Sequence, residues 1–149
     1  MPGEYRTTLL RLAAKRLDRD AVLPARSHPS DAGLDLYSLH IAHLLPDCVT
    51  RVRTGIAVGI PHGYYGRIEP RSGLAAEYGV QVLGGVIDAG YTGEIVVLLG
   101  AVNDAGLSLP AHTRIAQLVI LPCETPEIVE VDSLHDTERG GGGFGSTGA

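Results

Sequence analysis

At 149 residues the chain suits one compact domain built around a single core. Apolar residues make up 44% and charged residues 19%, an ordinary globular balance, and a net charge of −5 argues against a general nucleic-acid binder, whose affinity would rest on a basic surface. The longest apolar run, Ile95 to Leu99, is far too short for a bilayer, and Met1 to Arg6 has no apolar signal core, so a soluble intracellular protein without membrane or nucleic-acid partners is expected.

In chain order, Leu10 to Leu17 comes nearest to a 3.6-residue period and is expected as a short helix, within an N-terminal extension of residues 1–16. Beyond it, 20 glycines and 9 prolines cut the chain into short apolar stretches, the punctuation of strands. Ile56, Val58 and Ile60 alternate with small residues, Pro61-His62-Gly63 supplies a turn, and Tyr64 to Ile68 is expected to return as the partner strand. Val80, Val82, Val86-Ile87 and Ile95 to Leu99 read as further strands, followed by an Asn103-Asp104-Ala105-Gly106 turn. Ile115 to Leu121 and Ile128 to Val131 complete the series. An all-β domain over residues 17–138, a compact barrel or sandwich, follows. Cys48 and Cys123 stand alone, with neither metal-ligand spacing nor a disulfide framework, which fits a reducing compartment. His40 and His43 lack a third ligand nearby and read as surface residues.

Residues 139–149 differ in kind. They read RGGGGFGSTGA, and backbone entropy should keep such a tail mobile until something binds it. Gly143 to Gly148 satisfies the dinucleotide fingerprint G-x-G-x-x-G, yet the strand and helix that the fingerprint needs are missing. What survives is the chemistry of glycine-rich backbone: free N–H groups can close around phosphate oxygens, with the Ser146 and Thr147 hydroxyls as further donors. Arg139 can clamp a terminal phosphate, and Phe144, the single phenylalanine of the protein, is placed for stacking.

Other segments carry chemistry too. In Pro70-Arg71-Ser72-Gly73 a stiff approach and a glycine turn present a guanidinium and a hydroxyl, a set suited to an anion. Of the 12 cationic side chains all but Lys15 are arginines, whose planar fork matches phosphate oxygens. Gln117 lies in an otherwise buried strand, where its amide must find partners. Val86-Ile87-Asp88, Ala89-Gly90 and Tyr91 read as a hairpin with a two-residue turn, putting the Asp88 carboxylate at an exposed tip. Fixed main-chain N–H and C=O groups of such a hairpin can match the polar edge of one ligand and oppose another.

Five segments in order, DAGLDLYS (31–38), PRSGLA (70–75), GGVIDAGYTGEI (84–95), RIAQLVI (114–120) and RGGGGFGSTG (139–148), resemble the motifs of the trimeric dUTPase family. The resemblance runs from about Leu17 to Gly148 and implies a jelly-roll-like β-barrel with a flexible tail. It also implies hydrolysis of dUTP to dUMP and pyrophosphate with Mg2+, by water attack on the α-phosphate. Such an enzyme limits uracil in DNA and supplies dUMP. By that similarity Asp88 is the general base, and Asp35 holds the metal through its bound waters. Arg71, Ser72, Gly73 and Arg139 hold phosphates, Gln117 is a nucleotide contact, and the backbone of Gly85, Val86 and Ile87 reads the base. Tyr91 packs on deoxyribose against a 2′-hydroxyl, Phe144 stacks on uracil, and Gly145, Ser146 and Thr147 complete the lid. The implied assembly is a homotrimer with sites shared between subunits. Arg114 is expected to hold structure rather than substrate.

Departures from the family pattern are Ala89-Gly90, Thr92 in place of a common arginine, and His112-Thr113 in place of Gly-Asp. The competing readings are a dCTP deaminase, which shares the fold, and a non-catalytic binding module on the same scaffold. The intact hairpin and tail argue against the first, and the full motif set against the second.

Overall fold

The computed structural model describes residues 10–101 and 105–142. Among these residues eleven strands and one short helix succeed one another: β1 (Ala13–Arg16), β2 (Leu34–Tyr37), β3 (Ala42–Leu44), β4 (Val49–Arg53), β5 (Ile56–Gly59), β6 (Tyr64–Glu69), α1 (Ser72–Tyr78), β7 (Val80–Leu83), β8 (Val86–Ile87), β9 (Val96–Ala101), β10 (Leu107–Leu109) and β11 (Arg114–Pro122). One sheet has the order β2-β11-β6-β8 and another β4-β9-β7, with two-stranded ladders β1-β5 and β10-β3. Every ladder is antiparallel. The all-β expectation holds.

Alternation along the strands builds the core. In β9, Val97, Leu99 and Ala101 are buried while Val96, Leu98 and Gly100 face outward, half-buried. Leu36, Leu44, Ile56, Ile95, Ile115 and Leu118 join Val97, Leu99 and Ala101 in one continuous cluster. Burying a side chain of this size contributes about 1.5–3 kcal/mol. The buried polar groups are satisfied: the Thr54 hydroxyl donates to Ile95 O at 2.6 Å, and the Ser38 hydroxyl to Pro110 O at 3.2 Å.

Several elements differ from expectation. Within Leu10 to Leu17 the chain forms β1 rather than a helix, because residues 13–16 find backbone partners along β5. Consequently β5 does not pair with β6. The turn after Ile60 exists, closed by Tyr64 N donating to Pro61 O at 3.2 Å, but it sends β6 across to β11 and β8. Ser72 and Gly73 begin a helix instead of a tight turn, since Leu74-Ala75-Ala76-Glu77 are strong helix formers and Gly79 (φ 64) closes the segment. Ile128 to Val131 joins no ladder among the described residues, and Ile128, Val129 and Val131 are 90%, 69% and 57% exposed. Of the Asn103-Asp104-Ala105-Gly106 turn, only Ala105 and Gly106 belong to the described residues.

The His112-Thr113 departure keeps its turn. Thr113 N and Oγ1 both donate to Pro110 O, at 3.3 and 2.6 Å, and His112 adopts φ 62, a left-handed backbone that glycine takes at lower cost.

Candidate active site

Register assembles the first cleft. In the β2-β11 ladder Asp35 stands opposite Gln117, so both side chains share one face, and Gln117 in turn stands opposite Glu69 at the end of β6. The chain leaving β6 therefore delivers Pro70, Arg71 and Ser72 beside them. Gln117 Nε2 donates to Pro70 O at 3.0 Å and ties that loop down. Its Oε1 lies over Gly33, where a Cβ would come within 2.1 Å, so only glycine leaves the amide its place.

The result is a cavity of about 290 Å³ lined by Ser27, Asp31, Ala32, Gly33, Asp35, Arg71, Ser72 and Gln117. Asp35 is buried and held by three partners: Arg71 Nη1 at 3.5 Å, Arg114 Nη1 at 3.5 Å, and the Ser27 hydroxyl donating at 3.2 Å. Arg114 also donates to Ser27 Oγ at 3.3 Å. Two guanidiniums offset the cost of burying one carboxylate. Arg114 thus bridges Asp35 and Ser27 at the cleft. Ser27 and Asp31 are lining residues that motif reading passed over. Asp31 stands inside the DAGLDLYS segment, and only the β2-β11 register shows which way that segment faces.

A second cavity, of about 280 Å³, is lined by Arg51, Val86, Ile87, Asp88, Tyr91, Glu94, Val96 and Leu98. Here the structure corrects the hairpin. The Asp88–Tyr91 turn is present, with Tyr91 N donating to Asp88 O at 3.0 Å, yet β8 pairs with β6 and the returning chain joins β4 and β7 as β9. The break lies at Gly84-Gly85. Gly85 has φ 105, its carbonyl accepts from Ile68 N at 2.8 Å, and a Cβ would meet Ile68 O at 2.9 Å. Only glycine brings β8 so near β6 in that conformation.

Tyr91 folds its ring over Gly93 and donates to Glu94 O at 2.7 Å, leaving the ring 44% exposed. The Asp88 carboxylate is exposed and has no side-chain hydrogen bond or ion pair among the described residues. Such a group is available to accept a proton from water. Thr92, one of the departures, lines a different cavity with Lys15 and Val58, away from Asp88.

Within the chain, then, Asp35, Arg71, Ser72 and Gln117 come together in one cleft, and Val86, Ile87, Asp88 and Tyr91 in another. Gly73 and Gly85 adjoin these groups without lining either cavity. Arg139 lines neither: its Nε donates to Gly142 O at 3.0 Å within its own segment. Phe144, Gly145, Ser146 and Thr147 lie outside the described residues. No three His, Cys, Asp or Glu side chains among the described residues group as a metal cage, and His43 Nδ1 instead meets Ser108 Oγ at 3.2 Å. No helix among the described residues is long and apolar enough to cross a membrane.

Known proteins share this architecture. The dUTPase family pattern matches residues 19–148. A deoxyuridine 5'-triphosphate nucleotidohydrolase of Mycolicibacterium vanbaalenii is 50% identical over 145 residues, 92% of this chain and 94% of that one. The solved dUTPase of Staphylococcus bacteriophage 80alpha, in complex with dUpNHpp, superposes with a TM-score of 0.87 at 31% identity, covering 93% of this chain and 99% of that one. A dUTPase from phage phi11 of S. aureus, described with a structural Mg(II) ion, has a TM-score of 0.76 at 29% identity, covering 83% and 98%. The chain belongs to the dUTPase family, and its reaction is the hydrolysis of dUTP to dUMP and pyrophosphate.

Proposed function

We propose that the two clefts are complementary halves of one active site, brought face to face between subunits of a homotrimer. The observation that carries this reading is the division itself: the anion-binding groups line one cavity and the bare carboxylate lines another. Ile128, Val129, Val131 and Leu134, exposed on an arm without a ladder among the described residues, support association with further copies. Residues 139–149 then close over the nucleotide as a tail from another subunit, with Phe144 on the uracil, Arg139 on the outer phosphates, and Gly145, Ser146 and Thr147 around them.

In this arrangement the Val86-Ile87 backbone reads the base, and Tyr91 packs against deoxyribose where a 2′-hydroxyl would collide. Arg71, Ser72, Gly73 and Gln117 hold the phosphate chain. Asp88 accepts a proton from a water aligned with the α-phosphorus, which is the positional part of the catalysis. Charge moving onto departing pyrophosphate meets the Arg71 and Arg139 guanidiniums.

The donor set of the first cleft fits magnesium. Asp35, through water beyond its paired oxygens, and Asp31 would hold the ion beside a phosphate-binding arginine, since magnesium keeps much of its water shell and usually needs only one or two carboxylates. When bound, the ion supplies positive charge to the triphosphate. Two free exposed thiols, Cys48 and Cys123, fit an enzyme working on the nucleotide pool inside the cell.

A panel of dUTP, UTP, dTTP and dCTP with pyrophosphate detection, with and without magnesium, tests the reading. Pyrophosphate should appear from dUTP alone and depend on the metal. Ammonia from dCTP would place the chain among the deaminases of this fold, and binding of dUTP without turnover would make it a sensor.

A further inference from the structure

The outer face of β4 carries two arginines with different surroundings. Val52 is buried, while Val49, Arg51 and Arg53 share the opposite face by the two-residue period. Arg53 Nε donates to both Glu94 carboxylate oxygens, at 3.1 and 3.0 Å, and Glu94 Oε1 also accepts the Gly55 amide at 2.8 Å. That pair is self-contained. Arg51 stands opposite Leu98 in the β4-β9 ladder and lines the same cavity as Asp88 and Tyr91. Its guanidinium has no ion pair or hydrogen bond among the described residues.

With Glu94 neutralised by Arg53, the cavity contains one bare carboxylate, Asp88, and one bare cation, Arg51, above a floor of Val96 and Leu98. The nucleotide's innermost phosphate must come to the Asp88 side for water to reach its phosphorus, and its oxygens carry the same sign as that carboxylate. From the other cleft Arg71 serves the rest of the chain of phosphates. On this side Arg51 is the only positive charge lining the cavity among the described residues.

We propose that Arg51 is a further substrate-positioning residue, donating from its guanidinium fork to the phosphate attached to deoxyribose. The inference rests on reading this cavity as the seat of the nucleoside and the attacking water. A planar fork with paired N–H donors suits two phosphate oxygens better than a point charge does. The same contact persists in the product dUMP, whose outer phosphates are gone.

The test begins by confirming that the wild-type protein releases pyrophosphate from dUTP, then measures binding of dUMP and of deoxyuridine by calorimetry. Arg51→Gln should weaken dUMP about tenfold, the effect of losing a hydrogen bond to a charged group, and leave deoxyuridine unchanged. Arg51→Lys should recover part of the loss, and rising salt should weaken dUMP binding more in the wild type than in Arg51→Gln. Equal losses for dUMP and deoxyuridine would make Arg51 a base or packing contact, and unchanged dUMP affinity would remove it from the site; either result overturns the proposal. A wild-type protein inert toward dUTP would overturn the reading of the cavity itself, a distinct outcome.

Discussion

Two aspartates of this chain show how surroundings set the role of one side chain. Asp35 is buried between Arg71, Arg114 and Ser27, with both oxygens engaged. Asp88 stands on a turn that uses its backbone carbonyl and leaves its carboxylate to solvent. An amide in place of that carboxylate keeps shape and polarity but cannot take a proton at neutral pH. Asp88→Asn should therefore bind dUTP with near wild-type affinity while turnover falls about 10³-fold, the scale of a lost general base. Single-turnover kinetics beside equilibrium binding would check it, and turnover near wild type would dismiss Asp88 as the base. Both aspartates were legible as candidates, because motif spacing marks them. Arg51 was not, since an arginine on a strand reads as a solvated face until the ladder shows which cavity Leu98 shares with it.

Among the elements, those with period-two burial were the most legible. β9 was expected near its observed bounds because it packs one face into the core, and β5 because its short apolar run Ile56 to Val58 is buried throughout. Pairing was harder to read than existence. β6 was expected beside β5, but β1 occupies that edge, and nothing local in Ala13 to Arg16 declares a strand: all four residues are exposed. The helix α1 spans only seven residues and packs just Leu74 and Tyr78 against the core, an apolar period of one turn that is too short to detect. The tail was legible by composition, and its described portion makes bonds only within residues 137–142. Removing residues 139–149 should thus leave the melting temperature nearly unchanged. Activity should fall by at least about tenfold, because base stacking on an aromatic contributes about 1–3 kcal/mol even before the phosphate contacts are counted. Calorimetric melting set beside kcat/KM separates the two, and a large drop in melting would assign the tail to the fold.

For the whole molecule, the division into two clefts gives a test of assembly that needs no structure of the complex. Arg71→Ala and Asp88→Asn chains are each expected to be inactive. Unfolded together in equal amounts and refolded, they should regain about a quarter of wild-type activity if each site draws its two halves from different subunits of a closed ring, since half the subunits carry each intact group. If one subunit supplied both halves, the mixture would stay inactive. The same division has a genetic corollary. If the sites are shared in that way, a chain defective at both Arg71 and Asp88 would spoil two sites in every ring it entered, the one served by its carboxylate half and the one served by its anion half. An allele of that kind would behave as dominant, poisoning the product of an intact copy rather than merely halving the dose.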